Sequence, residues 1–148
     1  VFDAWLMLRS LRTLPLRMRQ HEKNAETLAA FLKTQPYVQK VLYPGLPEHP
    51  GYEIQKKQAT GFGGMISFYV DTPERAKKIL EGISLIQFAE SLGGAESLMT
   101  YPRTQTHADL TPEEAKEKGI TDTLLRFSVG LEDVEDLKED LLSVFKNL

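Results

Sequence analysis

The sequence predicts a two-layer α/β domain in which helices cover a small, mainly antiparallel sheet of about four strands. Three observations predict it. Apolar residues recur at three- and four-residue spacing near both ends of the chain, the period of helices with one buried face. Between them lie short β-branched and aromatic runs closed by Gly and Pro, which is the mark of strands. The runs follow the order helix–strand–helix–strand–helix–strand–loop–strand–helix, and 148 residues suffice for one core without disulfides.

Trp5, Leu8, Leu11 and Leu14, then Ala25, Leu28, Ala29, Phe31 and Leu32, set a long helical region over residues 2–33 that Pro15 should kink or divide. Val38 to Tyr43 reads as a strand ending at the turn Pro44-Gly45, and residues 48–58 as a weaker helix. Met65 to Val70 is apolar on both faces and is therefore expected to be a central strand. Thr72 is placed as an N-cap with Pro73 in the first helical turn. Ile83 to Ala89 reads as a third strand. Thr111 and Glu114 form a capping box, with Gly119 ending the short helix. Leu124 to Gly130 alternates as a fourth strand, and Val134, Leu137, Leu141, Val144, Phe145 and Leu148 give the closing helix an apolar face.

Composition excludes several classes of function. Net charge is −3 and charged residues make up 26%, with no basic stripe for nucleic acid. There is no cysteine, hence no thiolate nucleophile and no Cys-ligated metal. His21 and His49 have no partners at metal-ligand spacing, so no metal site is expected. No apolar run has the length of a membrane span, and the cytoplasm is the expected compartment. The chain opens at Val1 with a helix already under way, which reads as part of a longer protein.

Three places could carry chemistry, and two others are set aside. On the strand 124–130, alternation puts Leu125, Phe127 and Val129 on one face and Leu124, Arg126 and Ser128 on the other, so Arg126 points away from the main apolar face. Arg126 is either paired with a neighbouring carboxylate or free for bidentate capture of a substrate carboxylate, which its planar fork suits. Glu90 and Ser91 close a strand just before Gly93-Gly94, where backbone can approach a ligand. Thr106 and His107 lie in a polar loop, and His107 is read as structural. Gly61-Phe62-Gly63-Gly64 enters a strand rather than a helix and is no phosphate cradle. The paired acids Glu113-Glu114 and Glu139-Asp140 look like caps and helix faces.

Several stretches together resemble the Cys/Met-metabolism (transsulfuration) family of pyridoxal-phosphate enzymes. They are Phe88–Leu98 (FAESLGGAESL), Tyr101–Ala108 with Asp109 (a TYPxTQTHAD variant), Leu125–Glu132 (LRFSVGLE) and the helix Phe2–Met18. The resemblance covers essentially the whole chain. It implies that residues 1–148 are the C-terminal domain of a fold-type I transferase, beginning with the long inter-domain helix. A preceding domain would then carry the Schiff-base lysine, because none of the lysines here has the family's Ser-x-Thr-Lys surroundings.

The same resemblance implies roles. Arg126 would bind the substrate α-carboxylate. Ser91 would orient the cofactor lysine, with the backbone at Ser91 and Leu92 against the substrate. Glu90 would face the substrate's distal end, and Thr106 would stand near the entrance. Arg103 departs from the small residue expected in that loop. The implied partners are an amino-acid substrate, the cofactor domain of the same protein and further copies in a homotetramer. The implied reaction is that of a cystathionine γ-synthase, replacing the γ-leaving group of an activated homoserine ester with cysteine. A cystathionine β- or γ-lyase is the alternative within the family, and a free-standing amino-acid-binding module the alternative outside it. This part alone is expected to be inactive.

Overall fold

A computed structural model describes all 148 residues. In chain order the elements are α1 (Phe2–Leu11), α2 (Leu14–Lys33), β1 (Val38–Leu42), α3 (Tyr52–Gln58), β2 (Met65–Val70) and α4 (Pro73–Gly82). They continue with β3 (Gln87–Phe88), β4 (Leu98–Thr100), α5 (Pro112–Glu117), β5 (Leu124–Ser128) and α6 (Val134–Phe145). The strands form one sheet in the order β1-β2-β5-β4-β3, antiparallel except for the β3–β4 pair. The two-layer α/β expectation holds.

The local signals act where they were read. The long N-terminal helix divides after Leu11, with Pro15 in the first turn of α2, where a missing N–H costs nothing. The hydroxyl of Thr72 accepts from the amide of Arg75, and Thr111 and Glu114 cap each other. Gly119 has φ +71°, the left-handed conformation that a helix end requires of its terminator.

Three expectations need correction. The sheet has five strands rather than about four, because Leu98–Thr100 also pairs, alongside β5. The third strand shrinks from residues 83–89 to Gln87–Phe88. The cause is Asp140 of α6, whose carboxylate accepts from the amides of Ser84, Leu85 and Ile86 and from the Ser84 hydroxyl. Amides spent on a side chain cannot enter a ladder. β2, expected to be central, is an interior strand, and β5 occupies the centre.

Helices α2, α4 and α6 cover one face of the sheet. There Leu28, Leu32, Ile79, Leu137 and Leu141 join Ile66, Phe68, Leu125 and Phe127 in a single buried cluster. On the opposite face Leu124 packs with Ala115 and Ile120 around α5, against Tyr69. The whole of α1 stands apart: none of its residues is buried, and Phe2, Trp5, Met7 and Leu8 are exposed. No helix is long and apolar enough to cross a membrane.

Candidate functional site

β5 builds the site because period-two alternation splits it between core and open face. Arg126 is paired in register with Ser67 on β2 and Thr100 on β4, and residues opposed in a ladder share a face. The arginine therefore lies on a polar row in the middle of the sheet, half-buried. Its Nη2 makes one long contact of 3.4 Å with Thr100 Oγ1. The Thr100 hydroxyl is itself committed, donating to the carbonyl of Ala89 at 2.9 Å. Arg126 Nε is buried and meets no acceptor anywhere in the chain, the one side-chain polar atom in that condition. No salt bridge takes the guanidinium, so the paired alternative for Arg126 is not what the fold adopts.

The segment carrying Glu90, Ser91 and Leu92 joins β3 to β4 and is exposed. It crosses the C-terminal end of β5, where the amide of Gly93 donates to Ser128 Oγ at 2.9 Å and the amide of Leu131 to the Ala95 carbonyl at 2.8 Å. The chain can pass this close because residue 130 is glycine. A Cβ there would lie 2.5 Å from the Ala95 carbonyl oxygen. Gly93 and Ala95 thus fix the stretch that follows Ser91 and Leu92 against the end of the strand that carries Arg126.

Thr106 is placed differently. Its hydroxyl pairs with His107 Nδ1 at 2.7 Å and stands 3.5 Å from the Pro102 carbonyl, with no contact to Arg126. His107 has that local partner, in keeping with a structural role. Arg103 reaches the His107 carbonyl at 3.4 Å, and Tyr101 anchors the loop through its hydroxyl on the Asp122 carbonyl. Burial, with the charge of Asp122 nearby, raises the Tyr101 pKa. No group of His, Asp and Glu side chains could hold a metal ion.

Sequence reasoning missed two supports of the site. His21 Nδ1 lies 2.6 Å from the Val129 carbonyl, which can only accept, so Nδ1 carries the proton. Asn24 Nδ2 donates to the carbonyls of Gly130 and Glu132. Both residues are buried on the face of α2 that also carries Ala25, Leu28 and Leu32. Polar residues at positions 21 and 24 of an apolar stripe were the signal available.

All lysines are exposed except Lys138, whose ammonium is paired with Glu135. The open donor at Arg126 has the shape to take a carboxylate.

Comparison with known proteins gives a consistent picture. The sequence profile of the Cys/Met metabolism PLP-dependent enzymes matches residues 1–146. The chain is 50% identical over 147 residues to the cystathionine γ-synthase of Haemophilus influenzae, covering 99% of this chain and 36% of that protein. It is 47% identical over 146 residues to the cystathionine γ-lyase of Bacillus subtilis, covering 99% and 38%. Among solved structures, the cystathionine γ-synthase of Xanthomonas oryzae in complex with cystathionine superimposes with a TM-score of 0.92 at 43% identity, over 98% of this chain and 38% of that one. The chain therefore spans little more than a third of the length of these relatives.

Proposed function

The chain belongs to the Cys/Met metabolism family of pyridoxal-phosphate-dependent enzymes, and we propose that residues 1–148 are its C-terminal, substrate-carboxylate-binding domain. The whole enzyme in this reading is most like a cystathionine γ-synthase, replacing the γ-leaving group of an activated homoserine ester with cysteine. One observation carries the assignment of the site: Arg126 Nε is buried without an acceptor. A buried donor left unpaired costs about 1–3 kcal/mol, and a bound carboxylate offsets that cost with charge-assisted bonds.

Each residue has a definable task. Arg126 binds the α-carboxylate, while Thr100 holds one corner of the guanidinium. The exposed backbone at Ser91 and Leu92 lies against the same carboxylate, and the Ser91 hydroxyl meets the cofactor lysine brought by the preceding domain. Glu90 forms part of the wall toward the substrate's distal end. Thr106 lines the entrance once its loop is covered. Pyridoxal phosphate, held by that other domain, supplies the electron sink for carbanions formed on the substrate. The exposed apolar residues of α1, Phe2, Trp5, Met7 and Leu8, pack on that domain and on further copies in a homotetramer. The cytoplasm suits a chain without cysteine or a spanning helix.

A cystathionine lyase is the second reading, supported by 47% identity to the γ-lyase against 50% to the synthase, a margin too small to choose a reaction. The test is kinetic. In the full-length enzyme Arg126→Lys keeps the charge but loses the planar fork. We expect KM for the amino-acid substrate to rise and kcat/KM to fall by about 100-fold with cofactor absorbance intact, and residues 1–148 alone to show no turnover. An unchanged KM in that variant, or turnover by the 148-residue chain, overturns the reading. Rates on cystathionine against acyl-homoserine plus cysteine separate lyase from synthase.

A further inference from the structure

We propose that Glu132 is a positioning residue for the carboxylate site: acting through Ser97, it latches the segment that carries Ser91 and Leu92 onto the end of β5 and so fixes its spacing from Arg126. The inference rests on the reading of Arg126 given above and adds to it.

From its place in the sequence, Glu132 belongs to a cluster of acids at the N-terminus of α6, where the helix dipole would be its partner. The fold gives that work to Asp133, which caps the helix by accepting from the amide of Glu135 at 2.8 Å. Glu132 turns back instead. One carboxylate oxygen accepts from the amide of Ser97 at 2.6 Å and the other from its hydroxyl at 2.8 Å. The Ser97 oxygen then accepts from the amide of Gly130 at 2.8 Å. Ser97 is fully buried and Gly130 buried with it, so the link between them is shielded from competing water, while the Glu132 carboxylate that grips Ser97 is half-buried.

The geometry depends on residue 130 having no side chain, since a Cβ there would fall 2.2 Å from the Glu132 carboxylate. Asn24 holds the backbone of the same residues from α2 through the carbonyls of Gly130 and Glu132. The latch is therefore fixed at its base and grips the buried end of the segment, at Ser97 next to β4. Between Ala89, which Thr100 holds, and β4, that segment touches β5 and the residues after it through Gly93, Ala95 and Ser97. Of these contacts only the one at Ser97 involves an ionised acceptor, which makes it the strongest of the three. The main core cluster contains none of these groups, so loosening the latch displaces the site without opening the core.

The test uses the full-length enzyme with Glu132→Gln, Ser97→Ala, the double variant and Arg126→Lys. Gln keeps the size and one acceptor of Glu132. It also turns an amide donor toward a Ser97 oxygen that already takes the Gly130 amide. We expect Glu132→Gln to raise KM for the amino-acid substrate about tenfold with kcat nearly unchanged, the cofactor absorbance to match the parent and Tm to fall by no more than about 4 °C. The double variant is expected to be no worse than the more impaired single variant, because both break one latch. If KM in Glu132→Gln stays at the parent value while Arg126→Lys raises it, the positioning role is wrong and the carboxylate site stands. If Arg126→Lys itself leaves KM unchanged, the carboxylate reading is the one that fails. Loss of Tm and cofactor absorbance along with activity in Glu132→Gln assigns the residue to the fold and overturns the proposal.

Discussion

The two faces of β5 are built from alternate residues of five, yet they end in opposite states. Leu125 and Phe127 are fully buried under α2, α4 and α6, and every contact they need lies within the chain. On the other face Leu124 packs with the α5 cluster and Ser128 takes the Gly93 amide, but Arg126 between them keeps a buried donor unmatched. The first face is complete and the second is one acceptor short. Polarity alone does not distinguish them, since Tyr43 in the core is also polar and its hydroxyl donates to the Gly63 carbonyl at 3.0 Å. What separates the two faces is whether their polar atoms are satisfied within the fold.

That contrast can be tested from either side, and the greatest effect belongs to the complete face. Phe127→Ala should cost about 3–5 kcal/mol of stability, read from the midpoint of urea unfolding. A loss below about 1 kcal/mol would show the core closing over the gap and would break the contrast. Tyr43→Phe removes one satisfied hydrogen bond and should cost about 1 kcal/mol at neutral pH.

The Tyr43 variant also carries a pH signature. Burial, then the charges of Glu26 and Glu22, raise the Tyr43 pKa above its ordinary value. The folded state thus holds the phenolic proton more tightly than the unfolded state. The stabilisation is whole below the unfolded value of about 10 and declines as pH rises beyond it. In Tyr43→Phe this part of the alkaline decline should vanish, which paired urea titrations at about pH 8 and about pH 11 would measure. The smallest loss is expected at the open face. Arg126→Met should cost no stability and should gain up to about 1–3 kcal/mol, since it removes a buried donor that the fold leaves unpaired. A loss above about 2 kcal/mol would make Arg126 part of the scaffold and erase the difference between the faces.

The sequence was most legible where a structure is decided within a few residues. Pro15 divides the first helix, Thr72 caps α4, and Thr111 with Glu114 closes on itself over a single turn, so neighbours in the chain are enough to identify them. The direction of Arg126 was legible for the same reason, because alternation along one strand fixes it. Effects acting across the chain were not. Nothing near Ser84 announces that Asp140 will take three successive amides and cut β3 short. Nor does an acid at the start of a helix announce that it will turn toward Ser97. The missing acceptor of Arg126 is a property of three strands together and has no local signature at all.

The position of β5 in the sheet sets the order in which the molecule can come into being. It is the last strand in the chain and the central one in the sheet, pairing with β2 on one side and β4 on the other. A growing polypeptide that has reached only Asp122 holds β1 with β2 and β3 with β4 as two unjoined ribbons, and two-stranded ribbons are marginal in water. The edges of β2 and β4 stay open to other chains until the final strand arrives. Such long-range closure makes folding slow compared with that of a helical protein of the same size. It also makes assembly self-checking: the strand that completes the sheet is the strand that carries Arg126, so no copy can finish the scaffold without setting Arg126 in its place.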